Sequence, residues 1–159
     1  MQHIFRKALL GLALVSTALT ASAEHWALSG DVGVHDPAII KEGNTWWTFS
    51  TGDGIQVLYS GDGKAWSRGT QIFSARPSWW KTYVPAHTSL DVWAPDVVNY
   101  NGKTWLYYSI SSFGTNTSAI GLSSATSIAK GDWSDKGKVI STKAGSNDYN
   151  AIDPNFTLD

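Results

Sequence analysis

The 159 residues contain no cysteine. No disulfide can therefore staple the fold, and stability must come from the core alone. An excess of basic charge is missing too: 12 Lys and Arg stand against 13 Asp and Glu, so no basic face is advertised and nucleic acid is excluded as a partner. The longest apolar run, "ALLGLALVSTALT" (8–20), falls short of the ~20 residues that span a bilayer. It follows Arg6 and Lys7 and ends at "ASA" (21–23), the charged start, short apolar middle and small-residue cleavage site of a secretory signal peptide. Cleavage after Ala23 is expected to leave 24–159, with ten basic and thirteen acidic residues, no membrane association and a bacterial periplasmic or extracellular location. Finally, no stretch of 24–159 keeps a helical period for three turns.

Aromatic residues are plentiful. Nine Trp, six Tyr and five Phe can build a core, because each buried ring removes ~150–250 Å² from water. They concentrate in short β-branched and aromatic runs, "NTWWTFST", "IQVLYS", "KTWLYYSIS" and "SAIGLSSA", which read as strands. Tight turns are expected at "EGN" (42–44), "SGDGKAW" (60–66) and "YNGK" (100–103). The class is all-β.

A repeat organises these strands. At a shift of 59, Gly43, Thr45, Trp46 and Ser50 fall on Gly102, Thr104, Trp105 and Ser109, and the pair Ala38-Ile39 falls on Val97-Val98. Each unit closes on a Trp-bearing strand, "AWSRG" (65–69) or "DWSDKG" (132–137). Four strands in a unit somewhat longer than ~40–50 residues is the mark of a β-propeller blade. Asp36 opens the first unit, Pro95-Asp96 the second and Asp153 the third, so the chain is expected to hold two blades and the start of a third, as the N-terminal part of a longer protein. A complete β-sandwich of 136 residues is the alternative, and "IDPNFTLD" (152–159), which starts a unit without finishing it, argues against it.

First strands of propeller blades line the central channel, so Asp36 and Asp153, 117 residues apart and each followed by proline, converge from different blades. The structural alternative is that Asp-Pro only starts a strand. Two carboxylates across a cleft are the minimum equipment for hydrolysing a glycosidic bond: one activates water, the other protonates the leaving oxygen.

Four segments, "VHDP", "TSLDVWAPDV", "YYSISSFGTNTSAIGLSSA" and "NAIDPNF", resemble in order and spacing the motifs of endo-arabinanases of glycoside hydrolase family forty-three. The resemblance covers nearly all of 31–159. It implies a five-bladed propeller that cleaves internal α-1,5-linked arabinan bonds with inversion. It also implies Asp36 as general base and Asp153 as the residue that tunes and orients the acid. Substrate contacts are implied at Asp36, Trp93, Phe113, Gly114, Asn150, Ala151, Ile152 and Asp153. The family's acid is a glutamate on a later blade, beyond residue 159; Glu24 and Glu42 lie in no matching motif. No metal is required, the resemblance allows a structural calcium near the axis, and the expected partner is arabinan acted on by a monomer.

Other residues carry plainer expectations. His35 is read as structural, His87 as an exposed loop residue over the cleft, and Trp79-Trp80 equally as core or as a sugar platform. Asp91 and Asp96 receive no chemistry. Within the family, an exo-acting arabinofuranosidase or xylosidase is the alternative activity, and a non-catalytic polysaccharide-binding propeller is the alternative class. Residues 24–159 alone are expected to be inactive and poorly stable.

Overall fold

A computed structural model describes residues 26–157; the expected signal peptide, its expected cleavage site and Glu24 lie outside them. The first unit is a four-stranded antiparallel meander of β2 (Ala38–Glu42), β3 (Thr45–Ser50), β5 (Gln56–Ser60) and β6 (Ala65–Arg68). The second is a meander of β7 (Asp91–Tyr100), β8 (Lys103–Ile110), β9 (Ser118–Ala125) and β10 (Ser134–Thr142). Two short strands complete the sheets. β1 (Ser29–Gly30) runs parallel to β6, and β4 (Gly52–Asp53), in the connection between β3 and β5, pairs with the start of β7 in the second sheet. All four aromatic and β-branched runs are strands, as their composition requires.

The turns show why the repeat is inexact. Both leading hairpins have two-residue loops, Gly43-Asn44 and Asn101-Gly102. In the first, positive φ falls on Gly43 (57°); in the second, Asn101 and Gly102 both adopt it (49° and 72°), the type I′ geometry. The second hairpin is one residue longer on each strand between core and turn. Trp47 therefore faces Ile40, whereas Leu106 faces Val97. The shift of 59 holds for the Trp-rich strands but not for the first strands: Ile40 and Val97 pack on the core, while Ile39 points away and is 57% exposed. The expected match of Ala38-Ile39 with Val97-Val98 is thus off by two residues, because a strand's facing follows its distance from the turn.

The core lies between the two sheets. Phe49 and Val57 of the first meet Val92, Leu106, Tyr108, Ile110 and Ala119 of the second, with Ile55, Phe73, Trp80, Val84 and Ile128 from the connections. Trp79-Trp80 does not form a platform. The segment makes a single helical turn, α1 (Trp80–Tyr83), that inserts Trp80 fully into the core, edge-on to Phe73 at 5.5 Å. Trp79 packs beside it and donates its Nε1–H to Asp135 at 2.9 Å. Trp133 precedes β10 rather than lying in it and sits edge-on to Phe49 at 5.5 Å, joining the sheets. At the hairpin end, the Glu42 carboxylate accepts the N–H groups of Ile128 and Ala129 at 2.9 and 3.0 Å. These two bonds tie one blade to the next and leave Glu42 no part in chemistry at the opposite end.

Residues 151–157 contain no strand. A strand exists through its ladder, and among the described residues this segment is tied to the second blade. Phe156 donates its N–H to Asp96 Oδ2 at 2.6 Å, and its ring stacks on Tyr107 at 6.3 Å.

Candidate active site

Three prolines, Pro37, Pro95 and Pro154, follow residues of left-handed conformation: Asp36 (φ 50°), Ala94 (φ 38°) and Asp153 (φ 54°). Such φ values are uncommon outside glycine, with Asp and Asn the usual exceptions. The structural counterpart of Asp36 in the second blade is therefore Ala94, not Asp96, and the spacings are 58 and 59. Ala94-Pro95 forms a β-bulge opposite Tyr108, between the pairs Trp93–Ser109 and Asp96–Tyr107. Two units thus present a carboxylate at this position, and the middle one presents a methyl group.

Short hydrogen bonds bring the candidate residues to one end of the sheets. Asp36, with its side chain 46% exposed, receives the Thr51 hydroxyl on Oδ2 at 3.1 Å, and His35 Nδ1 lies 2.8 Å from the same oxygen. Thr51 Oγ1 in turn accepts the N–H of Ala94 at 2.9 Å. Next to Ala94, Trp93 pairs with Ser109, and the Ser109 hydroxyl accepts the N–H of Asp153 at 2.9 Å. Asp36, Trp93 and Asp153 are thereby linked through two buried or half-buried hydroxyls, Thr51 and Ser109. Their carboxylate-bearing loops stay exposed.

The remaining candidates join the same end. Phe113, 93% exposed, lies over Trp93 with ring centroids 4.7 Å apart, and Gly114 beside it takes φ 78° to turn the loop. Trp93 is held by its Nε1–H on Asp91 Oδ2 at 2.8 Å. Asn150 accepts the Ser118 hydroxyl at 2.6 Å, and Ser118 contacts Ser111 at 2.6 Å. Ala151 is buried with its N–H on Thr142 Oγ1 at 3.1 Å, and Ile152 is half-buried. Those two anchor the segment, so Asn150 and Asp153 are its exposed side chains.

His87 departs from expectation: it is 4% exposed, under the Phe113 loop. Its Nδ1–H bonds the Ser111 carbonyl at 2.8 Å, its ring meets Trp80, and its own carbonyl takes Arg76 Nη1 at 2.7 Å. A small aromatic niche and a bare carbonyl outweigh the polar surroundings that suggested exposure. The supporting hydroxyls Thr51, Ser109 and Ser118 and the tether Asp96 escaped the sequence reading. The match of Ser50 on Ser109 was the one available hint that the strand ends carry polar work. Among the described residues no group of three or more Asp, Glu, His or Cys side chains comes together, and no step is routed through a calcium ion.

This arrangement can hold two exposed carboxylates beside an aromatic floor. Comparisons with known proteins agree on its family. Residues 30–159 match the model for glycosyl hydrolases family 43. The chain is similar to the extracellular endo-α-(1→5)-L-arabinanase 1 of Bacillus subtilis (strain 168), 49% identical over 99% of this chain and 49% of that protein. It is also similar to the extracellular exo-α-(1→5)-L-arabinofuranosidase ArbA of Cellvibrio japonicus (strain Ueda107), 39% identical over 99% of this chain and 45% of that protein. The solved endo-arabinanase of Bacillus licheniformis superposes with a TM-score of 0.77 at 53% identity, over 81% of this chain and 44% of that one. The chain spans about half the length of the curated relatives it matches. With the motif order, the paired blades and the family match in agreement, the chain belongs to glycosyl hydrolases family 43.

Proposed function

We propose that the protein containing this chain hydrolyses internal α-1,5-L-arabinofuranosidic bonds of arabinan with inversion. The observation that carries the reading is the pair Asp36 and Asp153, presented exposed at one end by the same left-handed Asp-Pro backbone. Asp36 acts as general base. With Oδ2 occupied by His35 and Thr51, Oδ1 is the oxygen that takes a proton from water as that water attacks the anomeric carbon. Inversion needs the water between base and sugar, and hence the wider carboxyl separation of roughly 6.5–9.5 Å. The leaving oxygen receives its proton from a glutamate outside residues 1–159, which Asp153 orients and keeps protonated by like-charge repulsion. Trp93 and Phe113 offer flat apolar surface to the furanose ring, with Gly114, Asn150, Ala151 and Ile152 shaping the same subsites. The chemistry needs no metal, and the protein works as a secreted monomer.

A second reading, exo action, is favoured by the 39% identity to an exo-acting relative over nearly the whole chain. One experiment addresses both. On debranched arabinan, the whole protein should release oligomers early, whereas arabinose as the sole early product would assign exo action. Asp36→Asn should lower turnover by ~10²–10⁴ with an unchanged fold, the usual cost of losing a general base. Undiminished turnover in that variant refutes the role of Asp36.

A further inference from the structure

We propose that Thr51 is the positioning residue of the general base: its hydroxyl fixes which oxygen of Asp36 meets the water. The inference rests on the reading of Asp36 as base. Thr51 lies in the bend between β3 and β4 and touches the Asp36 loop twice. Its N–H bonds the His35 carbonyl at 2.9 Å, and its hydroxyl reaches Asp36 Oδ2 at 3.1 Å.

The direction of that hydroxyl is determined. The N–H of Ala94, which can only donate, points at Thr51 Oγ1 from 2.9 Å. One lone pair is taken, so the single proton of the hydroxyl is free to go to the carboxylate. His35 Nδ1 lies against the same oxygen at 2.8 Å. Oδ2 thus holds the Thr51 hydroxyl and the His35 ring nitrogen, whereas no hydrogen bond from the described residues reaches Oδ1. A carboxylate tethered through one oxygen cannot spin freely, and the other oxygen keeps a constant direction.

His35 alone is a poor tether. It is the chain neighbour of Asp36 and its side chain is 78% exposed, whereas Thr51 is half-buried and anchored to a second blade. The same hydroxyl stabilises the left-handed Ala94, which stands in the second blade where Asp36 stands in the first. One side chain therefore sets the entries of two first strands relative to each other.

The test uses the whole protein and debranched arabinan. Thr51→Val keeps the shape and removes the hydroxyl; Thr51→Ser keeps the hydroxyl. Thr51→Val should lower kcat roughly 10–100-fold, the penalty of a misplaced reacting group, while KM stays within about threefold. Thr51→Ser should keep kcat within about threefold of wild type. In an Asp36→Asn background Thr51→Val should cost nothing further, because the two act as a unit. Thr51→Ala, too small to clash, gives the same kcat-KM split should the Val variant melt early. Wild-type kcat in Thr51→Val and Thr51→Ala, or an equal fall in Thr51→Ser, overturns the proposal while leaving Asp36 as base. Undiminished turnover in Asp36→Asn instead removes the base itself.

Discussion

Gly121→Ala should be among the more destructive single-methyl changes in this chain. Gly121 pairs with Tyr108 across β8 and β9. A Cβ at Gly121 would stand 2.4 Å from Tyr108 Cζ, 2.6 Å from its hydroxyl oxygen and 2.8 Å from Trp79 Cζ2. The Tyr108 ring has nowhere to go, being fully buried with Phe73 at 5.0 Å, Trp80 at 6.0 Å and Trp79 at 6.4 Å. Its hydroxyl accepts Trp80 Nε1–H at 3.4 Å and donates to Asp135 Oδ1 at 3.2 Å. Burial raises the phenol's pKa, so it remains a neutral donor at any ordinary pH. Overpacking costs ~1–3 kcal/mol, and each displaced hydrogen bond adds about 0.5–1.5. Restricting the unfolded chain returns only about 0.4–1 kcal/mol. Destabilisation of roughly 2–4 kcal/mol is expected, read by urea unfolding of the whole protein as a lower midpoint at unchanged slope. In a Tyr108→Leu background the same methyl should cost clearly less, because only the contact with Trp79 Cζ2 remains. Stability within about 0.5 kcal/mol of wild type, or the same cost in both backgrounds, would refute the steric argument.

Glu42→Ala should leave the N–H of the buried Ile128 without its partner, while that of the exposed Ala129 turns to water, and cost roughly 1–3 kcal/mol of stability. Because it lies at the hairpin end, kcat should not change, and a drop in kcat without a drop in stability would contradict this placement. Two turns should respond to acid. Asp62 is held below the ordinary 3.8 by the N–H groups of Ala65 and Lys64 and the Ser60 hydroxyl. Asp132 is held below it by the Thr126 hydroxyl and the N–H groups of Ser127 and Thr126. Depressed carboxyls contribute fully above the unfolded value and lose that contribution as pH falls through the folded one. The amide resonances of Lys64, Ala65 and Ser127 should therefore move with a midpoint below the ordinary 3.8; a midpoint above it would show that these contacts do not favour the ionised form.

How much could be read without a structure depended on the range of the interaction. Strand runs, the three tight turns and the four-stranded unit were legible, because alternation and positive-φ glycines are properties of neighbouring residues. The four family-like motifs likewise pointed to the candidate residues, since Asp36-Pro37 and Asp153-Pro154 carry their backbone geometry locally as a left-handed residue before proline. Contacts between distant residues decided the rest. The burial of Trp79, Trp80 and His87 depends on the space between two sheets, which no local pattern describes. That Ala94 rather than Asp96 matches Asp36 follows from a bulge opposite Tyr108. Thr51 meets Asp36 at a separation of 15 residues and Ala94 at 43, and Asp96 meets Phe156 at 60. Such pairs form only once packing of the blades has fixed the backbone on both sides, which is why the candidate carboxylates could be named from the sequence while the hydroxyls that contact their loops could not.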